Sequence, residues 1–267
     1  MQRGEEAPVI FDDHCDAIVA QTDLLARHVK GAGLSAPVPT CPGWDLGRLL
    51  RHVGADHRWA EEIVRTGATG PTADDAVNDP DAYADLDDSA LGAWLTEGAA
   101  RLAATLRAAG SDLRVWTPAD ERVVEPSAGF WARRMTYETL LHRADAALVT
   151  GAEFAVEDML AIGGVEEWLE FSTVDEAYAP VPGEPELLGP GRAIHFDAGG
   201  AGQWLVDLGG ERPRWRRGTG RAPVSVRGPV TDLLLFLYER PAPGVVTRGD
   251  SALLELWLRR TRFWLEV

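Results

Sequence analysis

The chain predicts a two-domain protein: an antiparallel helical bundle over residues 1–178, a linker at 179–191, and a small α+β domain over 192–267. Three observations carry this fold class. At 267 residues the chain exceeds the usual size of a single core, so two domains are expected. Its first two thirds carry long apolar stripes at helical spacing. At "APVPGEPELLGPGR" (179–192) the composition turns Pro- and Gly-rich, and beyond it the apolar runs are short.

The elements follow in order. Phe11, Cys15, Ile18, Thr22, Leu25 and Val29 alternate spacings of four and three, a core-facing helical stripe that "KGAG" ends. After the turn-rich "SAPVPTCPGW", Asp45 is placed to cap a second helix carrying Leu46, Leu49, Leu50, Val53, Ala60, Ile63 and Val64. Gly67 stops it. The acidic stretch "TADDAVNDPDAYADLDD" (72–88) reads as an exposed, solvated loop. Ser89 then caps a third helix through Leu91, Leu95, Leu102 and Leu106, which ends at Gly110. A fourth helix spans 127–149 and a fifth 156–171; with modest connections these form an antiparallel bundle. In the second domain "AIHF", "QWLVDL", "RWRR" and "VSVR" are strand-like runs separated by Gly or Pro. Helices are expected at 230–239, behind Pro229, and from Ser251 onward.

Composition excludes several function classes. A net charge of −16 argues against a general nucleic-acid binder, since phosphate contact needs surplus Lys and Arg. Two cysteines, Cys15 and Cys41, in separate segments make neither a disulfide framework nor a thiolate zinc cluster. No apolar run reaches membrane-span length, and the N-terminus lacks a signal-peptide core, which predicts a soluble, cytoplasmic protein. There are no internal repeats and no glycine-rich phosphate loop.

Chemistry concentrates on two helices. "MTYETLLHRAD" (135–145) sets Glu138 and His142 one helical turn apart, on one face. His52 lies on the second helix beside Leu49 and Val53, at the edge of the buried stripe. Two imidazoles and a carboxylate are good ligands for a divalent metal such as zinc, and three protein ligands leave a position open for chemistry. A Glu and a His at this spacing equally form an ordinary hydrogen-bonded pair, and spacing alone leaves both readings standing. Asp145 is read as a partner of the site more than a ligand, and His14, His28 and His195 as surface or structural. Trp44 and Trp59 are read as core residues, and Cys41, in a tight turn, as structural.

"VPTCPGWDLGRLLRHVGADHRWAEEIV", followed later by "FWARRMTYETLLHRADA", resembles the mycothiol-dependent maleylpyruvate isomerase family of actinobacteria. "EDMLAIGGVEEWLE", "IHFDAGGAGQWLVDL", "VSVRGPVTDLLLFLYERP" and "VTRGDSALLELWL" extend the resemblance over nearly the whole chain. It implies a DinB-like four-helix bundle whose metal is held by His52, Glu138 and His142. One departure stands out: the family commonly has His immediately before that Glu, where this chain has Tyr137.

The implied chemistry is coherent. A bound cation ionises a coordinated thiol, here the cosubstrate mycothiol. The thiolate adds to an activated cis double bond of a small anionic substrate, and rotation and elimination release the trans isomer. The anion needs a cation, and Arg240, ending "LLLFLYER" where the family also places an Arg, is the first candidate; Arg214, Arg216 and Arg217 read as solvated surface residues. The resemblance therefore implies a metal- and thiol-dependent isomerase or S-transferase, monomeric or dimeric. Two alternatives stay open at this point: a non-catalytic ligand-binding protein with a structural metal, and a zinc hydrolase using metal-activated water.

Overall fold

The structure, a computed structural model, describes residues 9–73, 79, 83, 88–119 and 121–265. The acidic stretch expected as a loop lies largely outside the described residues, as does the side chain of Ser89. The chain divides into two compact units, Val9–Phe154 and a C-terminal unit beginning at Ala155.

Among the described residues the N-terminal unit contains four long helices: α1 (Phe11–His28), α2 (Leu46–Thr66), α3 (Asp88–Ala109) and α4 (Ala128–Thr150). The expected stripe of α1 is buried, with Cys15, Ile18, Thr22 and Leu25 all fully enclosed. Helix α2 starts where Asp45 predicts: its Oδ1 accepts the Arg48 backbone N–H at 2.8 Å. It stops at Gly67, whose left-handed φ of 60° is open to glycine without strain. Ser127 caps α4 in the same manner, and Gly151 ends it at φ 70°. Helix α1 packs against α3 and α4, and α2 against both α3 and α4, so every helix is covered by two others. Close approach of α2 and α3 depends on Gly54, where a Cβ would fall 2.0 Å from the Trp94 ring. A second anchor is aromatic: Trp131 meets Trp59 at 5.1 Å between ring centroids and donates Nε1–H to the Trp116 carbonyl.

The C-terminal unit contains α5 (Asp158–Phe171), the single-turn α6 (Asp175–Tyr178), a five-stranded sheet, α7 (Val230–Leu237), α8 (Ser251–Thr261) and a closing 3₁₀ turn (Arg262–Leu265). The strands are β1 (Ala193–Asp197), β2 (Gln203–Asp207), β3 (Arg214–Arg217), β4 (Val224–Arg227) and β5 (Val246–Gly249), in the order β3-β2-β1-β4-β5. Pairing is antiparallel except between β1 and β4, which run parallel with Ile194 opposite Val224. All four expected strands form. β5, with four exposed residues, carries no alternation to announce it. Gly249 ends it at φ 95°, where a Cβ would lie 2.0 Å from the Pro223 carbonyl oxygen.

The domain boundary differs from the sequence expectation. It falls between Phe154 and Ala155, ahead of the Pro- and Gly-rich 179–191 stretch, so α5 belongs to the C-terminal unit. The cause is the burial of α5. Its Trp168 ring meets Tyr238 at 4.6 Å, the Tyr238 hydroxyl donates to Glu167, and Glu166 takes hydrogen bonds from Trp204 and Arg217 of the sheet. The 179–191 stretch itself is pinned to the sheet unit, with the Gly189 N–H on the Leu208 carbonyl and the Leu208 N–H on that of Arg192. Pro and Gly mark a loop folded onto its domain rather than a hinge. Among the described residues no helix is long and apolar enough to cross a membrane.

Candidate metal centre

The residues of interest come from α2, α4 and the turn before α2. That turn is tight: the Val38 N–H reaches the Trp44 carbonyl, the Trp44 N–H reaches that of Cys41, and Gly43 adopts φ 83°. It places Thr40, Cys41 and Trp44 against α4. Two turns into α2 comes His52, and one turn further, on the same face, Asp56. Helix α4 contributes Glu138, His142 and Asp145.

The three residues singled out by spacing and resemblance converge. His142 Nε2 lies 2.8 Å from Glu138 Oε1, and His52 Nε2 lies 3.3 Å from the same oxygen. One ligand atom from each of His52, Glu138 and His142 falls within 4.8 Å of the other two. Four ligands at about 2.0–2.1 Å around a tetrahedral zinc are separated by about 3.3–3.4 Å along each edge. The cluster is close to that spacing, and a small contraction or opening accommodates the ion. The donor set, two imidazoles and a carboxylate, fits a borderline divalent cation.

The surroundings hold each donor in a defined orientation. His142 Nδ1–H donates to Asp145 Oδ2 at 2.9 Å, which turns Nε2 toward Glu138. Asp145 is fully buried and is itself held by the Thr40 hydroxyl at 2.7 Å and the Cys41 thiol at 3.6 Å. A carboxylate behind a ligating imidazole fixes its tautomer and raises its basicity. Arg134 occupies Glu138 Oε2 at 2.5 Å and leaves Oε1 to the imidazoles. The Trp44 ring forms a wall, 4.7 Å from the His52 ring edge-on and 5.8 Å from His142 in a stacked arrangement.

Electrostatics agree with this geometry. Burial alone would push the Glu138 carboxyl up, but the His142 imidazole and the Arg134 guanidinium overcome it and hold the group well below the usual carboxylate range. Burial likewise opposes charge on His142, yet the Glu138 carboxylate and the hydrogen bond to Asp145 carry it well above an ordinary histidine. His52 is raised because Asp56 and Glu138 outweigh its burial. Desolvation lifts Asp56 itself to about 6, partly offset by His52. These imidazoles favour a positive charge at Nε2, whether a proton or a metal ion supplies it.

Cys41, His142 and Asp145 also lie within reach of one another, but both Asp145 oxygens already accept hydrogen bonds. The remaining expectations fall as follows. His14, on α1, is buried and hydrogen-bonded to Thr136, a structural role. His195 bonds to Gln203 across β1 and β2. His57 is fully buried on the Thr139 hydroxyl. Tyr137 is fully buried, its ring edge-on to His14. Arg240 follows α7 in the C-terminal unit, and its guanidinium donates to the Tyr238 carbonyl at 2.7 Å. Trp59 packs in the aromatic core as expected, and Trp44, also packed against the core, borders the site as well. Sequence reading passed over Asp56 and Arg134, which stand four residues from His52 and Glu138, the spacing that could have found them.

Comparison with known proteins adds independent observations. Residues 15–147 match the model of the mycothiol maleylpyruvate isomerase N-terminal domain. The chain is similar in fold to the crystal structure of the mycothiol-dependent maleylpyruvate isomerase, with 15% sequence identity and a TM-score of 0.61, covering 90% of this chain and 94% of that one. It is similar to the same enzyme's H52A mutant, so numbered in that protein, with a TM-score of 0.62 at the same identity and coverage. No curated protein gives a significant match. The matched domain contains α2, α4 and the whole donor cluster, so residues 15–147 form a mycothiol maleylpyruvate isomerase N-terminal domain, and the solved structures share the fold of the chain.

Proposed function

We propose that this protein is a metal-dependent enzyme that uses a low-molecular-weight thiol, mycothiol, to isomerise or thiolate a small anionic electrophile in the cytoplasm. The observation that carries the reading is the meeting of His52, Glu138 and His142 inside a domain of this family. Those three residues would hold the metal, with zinc the preferred ion for two imidazoles and a carboxylate. A bound divalent cation supplies a Lewis acid that ionises a coordinated thiol at neutral pH. Asp145 keeps His142 in the tautomer that presents Nε2, and Arg134 keeps Glu138 ionised with one oxygen directed at the site. Trp44 shields one side of the two imidazoles from water. Arg240 is the cation proposed for the substrate's anionic group.

Two measurements test this together. Elemental analysis of the protein purified without added metal is expected to find one divalent ion per chain, lost in His52→Ala. Turnover of maleylpyruvate and related cis-enoates is expected only with mycothiol present. Absence of metal from the native protein refutes the centre. Hydrolytic turnover without thiol favours a hydrolase instead, and unchanged substrate affinity in Arg240→Ala removes that residue.

A further inference from the structure

The arginines around the donor cluster are not equivalent. Arg134 is committed to Glu138 at 2.5 Å. Arg51 donates to the Tyr83 carbonyl, and Arg58 to the carbonyls of Gly54 and Trp94 and to Glu97. Arg48, half-buried in the first turn of α2, differs from all of these. Its guanidinium lies over the Trp44 ring, 4.9 Å from the centroid, and among the described residues it meets no carboxylate and no carbonyl oxygen. Arg48 precedes His52 by one helical turn, so both side chains leave one face of α2, with Cβ atoms about 6 Å apart. Both also meet the same indole, since the His52 ring stands edge-on to Trp44 at 4.7 Å while the His142 ring is stacked with it at 5.8 Å. Trp44 thereby ties a guanidinium to the two imidazoles of the centre.

We propose that Arg48 binds a carboxylate of the small substrate acted on at the metal centre, a cation of the N-terminal unit additional to Arg240; this rests on the function proposed above. A guanidinium laid on an aromatic face keeps its N–H donors in its own plane, in a fork whose spacing matches the two oxygens of a carboxylate. Trp44 is the positioning residue: holding the guanidinium on its ring in advance reduces the side-chain entropy lost when the anion binds. The surrounding charge sharpens the assignment. In a chain of net charge −16, a half-buried arginine with no acidic partner among the described residues is an unused positive charge, and it stands beside the open position that three protein ligands leave. The metal keeps that position for the thiol, and Arg48 holds the anion next to it.

Calorimetric titration of the purified protein with maleate, a small cis-dicarboxylate, tests the proposal, with bound metal measured on the same samples by elemental analysis. Arg48→Gln is expected to bind maleate about 10- to 100-fold more weakly than wild type, the range for losing a hydrogen-bonded partner of a charged group. Its metal content and its affinity for mycothiol are expected to stay at wild-type values. Arg48→Lys, which keeps the charge but not the fork, is expected to lose less. Circular dichroism establishes that the variants are folded, and Arg48→Ala replaces Arg48→Gln if the latter is not. Unchanged maleate affinity in the folded variant, or Arg48→Lys no better than Arg48→Gln, overturns the role of Arg48. Matched falls in maleate and mycothiol affinity, or loss of metal from the variant, overturn it as well, because Arg48 then serves only the structure of the site. Wild type that carries metal but does not bind maleate overturns the carboxylate site and leaves the centre standing. Wild type without metal overturns the centre and the proposal together.

Discussion

Asp145→Asn is the sharpest test of how the centre is built, because it changes one charge without touching any of the three proposed donors. In the wild type, Asp145 Oδ2 accepts His142 Nδ1–H at 2.9 Å while Oδ1 accepts the Thr40 hydroxyl at 2.7 Å. Asparagine has one acceptor oxygen, so it can accept the Thr40 hydroxyl proton or His142 Nδ1–H but not both. If its amide N–H₂ faces His142, Nδ1 becomes the acceptor and the proton moves to Nε2, the atom a metal needs. If its oxygen faces His142, the tautomer survives but the bond loses its charge assistance. A hydrogen bond to a charged group contributes about 1.5–3 kcal/mol, against about 1 kcal/mol for a neutral one. The difference of about 0.5–2 kcal/mol corresponds to metal affinity falling about 2- to 30-fold if the tautomer survives, and loss of the tautomer takes it toward the about 10- to 100-fold typical of partners behind a ligand. Competition against a chromophoric chelator reads it directly. Thr40→Val, which removes only the outer hydroxyl, is expected to fall by less. Equal affinity in Asp145→Asn and wild type would refute the claim that Asp145 orients His142.

His57, fully buried and pushed down to about 3 by burial and by Arg58, gives a pH signature. Its folded value lies below the unfolded 6.5, so the unfolded chain takes the proton first; stability is present above pH 6.5 and lost as pH falls toward 3. At pH 5 that amounts to about 2 kcal/mol. Urea unfolding of His57→Gln and wild type at pH 7.5 and 5, both metal-free, should show the variant gaining about that much relative to wild type on acidification. A difference that does not move with pH counts against a neutral buried imidazole. Trp131→Ala, at 1% exposure in the aromatic cluster, should destabilise the N-terminal unit by about 3–5 kcal/mol, read by urea midpoint. Gly249→Ala meets the Pro223 carbonyl at 2.0 Å, whereas Gly151→Ala meets nothing within 4 Å; the first should lower Tm at least twice as far as the second.

Much of the fold was legible from local signals. The stripe from Cys15 to Leu25, the Asp45 and Ser127 caps and the glycine stops at 67 and 151 each depend on residues within a few positions of one another. β5 escaped because an edge strand of four exposed residues has no buried face to alternate against. The division between Phe154 and Ala155 was not legible for a related reason: Pro and Gly report local backbone preference, whereas the allegiance of α5 is set by Trp168, Glu166 and Glu167 meeting Tyr238, Trp204 and Arg217, with hydrogen-bond partners 38 to 71 positions away.

The same division runs through the site. Sequence alone determined which side chains share a helical face, because 3.6 residues per turn is a property of the backbone; hence Glu138 with His142, and His52 with Asp56. Only tertiary structure decided that these two faces meet, that Thr40 holds Asp145, and that Trp44 borders the imidazoles. The contacts from His52 to Glu138 and from Thr40 to Asp145 span 86 and 105 residues, and they depend on how α2 and α4 pack and where the turn before α2 comes to rest.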